Sequence, residues 1–145
     1  MPLIARLLIL AIAAQVLLSI VILLLMGRER VPRVMSGEIA IKDIAVERTA
    51  YPLRARILSN SFDNQFQLPV LFYGAALLAL FASAPGWAEV MFAWLFVALR
   101  YVHAFIHLTS NDVRQRFAAY TAGLAVLGLL WLWLVLRLVI LAPSI

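Results

Sequence analysis

The chain contains no cysteine, which excludes disulfides, thiolate metal sites and a protein thiol nucleophile, though not a thiol carried by a bound substrate. Charge is also scarce. Only 13% of the residues are Asp, Glu, Lys or Arg, against about 25% in a soluble domain. Turn formers are few, with six glycines and six prolines in 145 residues. With so little to solvate or punctuate the chain, 66% of it is hydrophobic and the mean hydropathy is +1.02. A water-soluble core of this size has no use for so much apolar surface. The excess must face lipid.

A helix needs about 20 apolar residues to cross a hydrocarbon core of about 30 Å. Four segments meet that length, at about residues 2–26, 55–84, 88–108 and 116–141, and together they make one membrane domain over residues 1–145. The first run exceeds the about 7–15 residues of a signal-peptide core, and no small-x-small cleavage site follows it, so it reads as a retained span. Pro85-Gly86 predicts a tight turn between the second and third spans, and Pro143 the end of the fourth. Thr109-Ser110-Asn111-Asp112 predicts the turn and cap before the fourth. An alternating β-barrel pattern is absent. The expected fold is all-α, a four-transmembrane-helix antiparallel bundle. In the long first loop, Ser36 to Asp43 alternates weakly and predicts an ordered, strand-like excursion at the membrane surface.

The net charge of +5 would suggest nucleic acid in a soluble protein, but the cations form no stripe. They collect beside apolar runs, as juxtamembrane loops do, so membrane lipid is the expected partner and nucleic acid is not. Arg28, Arg30, Arg33, Lys42, Arg48 and Arg54 occupy the first loop, and Arg114 and Arg116 the third loop and its edge, whereas the second loop has no Lys or Arg. Basic loops stay inside. Loops one and three are therefore expected in the cytoplasm, with a bacterial inner membrane as the expected location.

Ionisable side chains within spans suggest function by default. Arg100, His103 and His107, three and four residues apart, share one face of the third span. Arg100 lies about 18 Å along that helix from the preceding turn and needs a buried acceptor or water. On the second span Asn60, Asp63, Asn64 and Gln67 form a matching polar face, with Arg56 one turn away. An Arg100–Asp63 ion pair is the structural alternative. Gln15, Ser19 and Tyr120 read as interhelical glue. No metal site is expected, because His103 and His107 lack a clear third ligand.

These residues resemble the family of membrane-associated proteins in eicosanoid and glutathione metabolism. The family's third helix carries Arg-x-x-His or Arg-x-x-Tyr and then Tyr four residues on; here Arg100-Tyr101-Val102-His103 matches and His107 takes the second position. Arginines near the start of the fourth helix are another family mark, met by Arg114 and Arg116. The second-helix motif Asn-x-x-Glu before a proline stands here as Asn64-Gln65-Phe66-Gln67 before Pro69, with glutamine for the acid and one residue fewer before the proline. An arginine usual four residues before the asparagine is replaced by Asn60. The resemblance implies a homotrimer that binds glutathione between subunits as co-substrate, and a transferase or peroxidase that acts on lipophilic electrophiles. By this resemblance Arg114 or Arg116 is the catalytic group that favours the thiolate, and Arg100 binds a carboxylate. Asn64 and Gln67 fix the peptide; Arg56, Asn60, His103 and His107 complete the binding candidates. Two other readings stay open: a non-catalytic lipid- or partner-binding protein of the same fold, and a proton or ion pathway through His103, His107 and Asp63.

Overall fold

The computed structural model describes residues 1–82 and 85–141; Ser83 and Ala84, where the second span was expected to end, and Pro143, expected to close the fourth, lie outside the described residues. Five α-helices follow one another: α1 (Leu3–Met35), α2 (Leu53–Asp63), α3 (Leu68–Ala82), α4 (Trp87–Leu108) and α5 (Val113–Val135). They make four spans, because α2 and α3 together form the second, Leu53–Ala82. Among the described residues there is no strand. The alternating segment of the first loop holds instead a 3-10 turn at Ile41–Ile44, because a single short alternating run has no partner strand with which to form a sheet.

α1 is a single helix of 33 residues. It is about 50 Å long, so it outruns a hydrocarbon core of about 30 Å and its last turns project past residue 26, where the apolar run ends. Gly37 stops it in the left-handed conformation, φ 77°, which glycine adopts without a Cβ clash. The excursion then folds back: Ile39, Tyr51 and Ala55 form a small buried cluster against Val34 and Ile44.

The second span is broken rather than straight. Residues Asn64–Phe66 tighten into a 3-10 turn, and Gln67 leaves helical geometry at φ −101°, ψ −104°. Pro69, in the first turn of α3, has no N–H to return to a preceding carbonyl, a position proline tolerates well. The break frees backbone carbonyls inside a membrane, which is stable only where other groups satisfy them.

α4 is the hub, packing against α1, α2, α3 and α5. Its core face is Val90, Ala93, Phe96 and Val97, and Phe96 stacks on Phe72 of α3 with centroids 4.9 Å apart. Lipid is as apolar as these side chains, so packing and interhelical hydrogen bonds, not water exclusion, hold the helices. Polar tips of aromatic residues supply several: Trp94 Nε1 donates to the Leu7 carbonyl at 3.2 Å and Tyr101 Oη to the Ala14 carbonyl at 2.8 Å, and Trp131 Nε1 donates to that of Leu71 at 3.2 Å. Trp94 and Tyr101, seven residues apart, lie on the one face of α4 that meets α1. Farther along the bundle the Gln15 amide donates to the Gln65 side chain at 3.0 Å, with both residues buried. At the end of α4 that starts the helix, Glu89 is 1% exposed. It accepts from the Gly86 N–H at 2.9 Å and pairs with Arg137, which projects from a π-helical turn at Leu136–Ile140.

Candidate polar cavity at the end of the bundle

The α4–α5 connection builds one wall of the candidate site. α4 ends at Leu108, and Asn111, at φ 52°, donates its N–H to the Ile106 carbonyl at 2.7 Å. Asparagine tolerates this left-handed conformation because its short polar side chain bonds locally. Asp112 then caps α5 by accepting from the Gln115 N–H at 2.9 Å, as an N-cap aspartate does. Arg116, one turn into α5, reaches back to the Asn111 side chain at 2.7 Å. Its guanidinium is thereby fixed, and its Nε is buried with no hydrogen-bond partner among the described residues. On the other wall, Arg54 donates to the Leu108 carbonyl and so ties α2 to the last turn of α4.

Arg100 is 1% exposed. Nη2 donates to the backbone carbonyl of Asn64 at 2.9 Å, an acceptor that the break between α2 and α3 makes available. Its Nε and Nη1 have no hydrogen-bond partner among the described residues, although a buried guanidinium is costly unless its charge is met. The ion pair with Asp63, the structural alternative for Arg100, does not form among the described residues. Asp63 is exposed at the end of α2 and pairs with Arg48 at 2.6 Å, a hydrogen bond that raises the Arg48 pKa above its ordinary value. The broken span explains the difference: it turns the Asn64 carbonyl, not the Asp63 carboxylate, toward α4.

His103 and His107 are buried on the Arg100 face, edge to face with centroids 5.8 Å apart, and Nδ1 of each is buried with no hydrogen-bond partner among the described residues. His103 also lies 5.9 Å from the Tyr120 ring. Asn64, His103, Arg116 and Tyr120 line one cavity of about 280 Å³, with Val113 and Phe117 as its apolar wall. Among the described residues, no three of His, Cys, Asp and Glu gather as metal ligands would.

The sequence candidates therefore divide. Asn64, His103 and Arg116 meet at the cavity; Arg100 reaches Asn64 and His107 packs on His103. Arg114, Asn60 and Gln67 are exposed and do not line it. Arg56 is half-buried, with Nε unpartnered. Tyr120, first read as glue, lines the cavity. Val113 and Phe117 escaped notice because apolar residues at four-residue spacing look like any lipid-facing stripe. Glu89 with Arg137 was also missed, although a carboxylate three residues after Gly86 is a helix-start signal.

No curated protein and no solved structure matches the chain. The family model for the MAPEG family matches residues 8–136, nearly the whole chain and all four spans. A match over that span shows the family: the chain belongs to the MAPEG family, membrane proteins of eicosanoid and glutathione metabolism.

Proposed function

We propose that the protein is a glutathione-dependent transferase or peroxidase acting on lipophilic electrophiles. The observation that carries this reading is the buried Arg100 guanidinium with two unpartnered nitrogens, beside a polar cavity that also holds Arg116. A buried cation without a carboxylate partner calls for an anion, and glutathione brings two carboxylates suited to an arginine fork. Its thiol, with an ordinary pKa of about 8.5, supplies the nucleophile.

The residues fit such a guest. Arg100 is held on one side by the Asn64 carbonyl and offers its remaining N–H groups to a carboxylate. Arg116, fixed by Asn111, presents positive charge where a thiolate would gain most from it. Of the two arginines first considered for that task, the lining of the cavity favours Arg116 over the exposed Arg114. Asn64 and Tyr120 add hydrogen-bonding groups, while Val113 and Phe117 give an apolar edge toward which the lipophilic acceptor would approach from the bilayer. We place this site on the cytoplasmic side of a bacterial inner membrane, because the basic loops lie at this end, and assign the assembly as a homotrimer with the family.

Calorimetry of the purified protein with glutathione and S-methylglutathione tests the reading. Saturable binding of both, weakened about tenfold or more by Arg100→Ala, is expected from the loss of a charged hydrogen bond worth about 1.5–3 kcal/mol. Arg116→Ala should weaken glutathione more than the S-methyl form. Absence of binding by either compound at millimolar concentrations overturns the proposal.

The exposed Gln67 favours one alternative. Standing where the family motif has an acid, it neither carries a charge nor lines the cavity, so a contact to the glutathione amino group is lost. A non-catalytic protein that binds a lipid or partner through the same cavity would show no turnover with aryl halides or lipid hydroperoxides, even when saturated with glutathione.

A further inference from the structure

A second cavity, remote in chemistry from the first, lies where α1 outruns the bilayer. Met26, Val31, Val34, Ile41 and Ile44 line it with Arg30 and Tyr51, and its volume is about 520 Å³. Leu23 and Met26, at the close of the apolar run, belong to the same wall, so the groove continues the lipid-facing surface of the span past its end. Val31, Met35 and Ile41 are well exposed there. Such apolar surface beyond the hydrocarbon core is accounted for if the excursion lies in the headgroup region, where amphipathic elements bury about 5–10 Å deep.

The charges around the groove are of one sign where they face it. Arg30 is its one charged lining residue, and its guanidinium lies 4.4 Å above the Tyr51 ring, a stacking that orients the fork and leaves it without a carboxylate. Arg28 and Lys42, adjacent in sequence to lining residues, are exposed and form no ion pair among the described residues. The acids of the excursion are otherwise disposed. Glu29 and Glu38 are engaged by Arg33, and Asp43 and Glu47 are exposed but do not line the groove.

We propose that this groove binds one anionic phospholipid, an acyl chain lying along Met26, Val31, Val34 and Ile41 and the phosphate meeting Arg30 with Arg28 and Lys42 beside it. A polybasic segment just outside a span attracts anionic lipid at about 1 kcal/mol for each Lys or Arg near the surface, equivalent to about fivefold in affinity. The groove adds a chain-shaped apolar contact that a mere surface charge lacks.

The test uses the full chain in a mild detergent, offered phosphatidylglycerol and phosphatidylcholine of matched chains, with retained lipid counted by native mass spectrometry. Phosphatidylglycerol should be retained in preference. Arg28→Gln with Lys42→Gln, both exposed and outside the packing, should reduce that preference by about fivefold per charge. Val31→Phe, from an exposed position into the groove, should abolish retention of both lipids while helicity by circular dichroism stays unchanged. Equal retention of the two lipids, an unaltered preference in the double variant, or undiminished retention in Val31→Phe would each overturn the proposal. So would displacement of the lipid by soluble glycerophosphoglycerol, which would mark a site for free phosphate. A change of oligomeric mass in Val31→Phe would assign the groove to a second copy instead.

Discussion

Replacing Arg100 by methionine should separate binding from stability. The side chain is buried and only partly hydrogen-bonded, and exchanging a buried ionic group for an apolar one of similar volume is often neutral or stabilising by about 1–4 kcal/mol. Thermal unfolding of Arg100→Met in detergent should therefore match or exceed that of the parent chain, while glutathione binding falls at least tenfold. A large drop in stability would mean that Arg100 is a structural cation whose charge the protein itself satisfies. The Gln15–Gln65 pair makes the opposite prediction. Gln15→Leu alone leaves the buried Gln65 Oε1 without its donor, at a cost of about 1–3 kcal/mol, but the double change with Gln65→Leu should recover most of it. A double-mutant cycle on unfolding should therefore show coupling of about 1–3 kcal/mol.

Among the elements, the broken second span has the largest effect. Its 3-10 turn at Asn64–Phe66 and the non-helical Gln67 present the Asn64 carbonyl to Arg100. Pro69→Ala restores an N–H and lets α3 wind back toward α2. The carbonyl would return to the helix ladder, and Arg100 would lose its one anchor. Glutathione affinity should fall by about 1–2 kcal/mol, with Arg100→Met showing no further loss on the Pro69→Ala background; an unchanged affinity would mean that the break does not set the site. At the opposite end, Glu89 meets both the Gly86 N–H and Arg137. Glu89→Ala removes a buried carboxylate together with its bonds to the Gly86 N–H and Arg137, so unfolding should cost about 1–3 kcal/mol less; Glu89→Gln, which keeps the acceptor for Gly86, should lose less.

At the scale of the molecule, the four spans were readable because lipid allows few solutions: a run of about 20 apolar residues can only be a helix. Arg100, His103 and His107 could be placed on one face from spacing alone, since α4 is regular from Trp87 to Leu108. Regularity failed on the second span. Asn60, Asp63, Asn64 and Gln67 share a face only on an unbroken helix, and the sequence offers a lone Pro69, equally consistent with a helix start, a kink or a stop. The choice of Asn64 over Asp63 as the Arg100 partner depends on that tertiary detail. The excursion was misread for another reason, since an alternating apolar pattern specifies a strand only where a second strand can pair with it. Orientation remains a matter of charge: reporters inserted after Glu47 and at Thr109 should read as cytoplasmic and one at Pro85 as external. The reverse pattern would place the cavity on the other membrane face.

The two-piece second span also bears on how the chain enters the bilayer. α3 has 15 residues, about 22 Å of helix, too short to cross alone, and α2 carries Arg54, Arg56, Asn60 and Asp63 among its 11 residues. Neither half would commit to lipid during synthesis by its own hydrophobicity. Only residues 83–86 separate α3 from α4 in the chain, so the two should partition as a helical hairpin, with α2 drawn in afterwards against α1 and the end of α4. A nascent chain cut short before α4 should then remain extractable by alkali, and the complete chain should not.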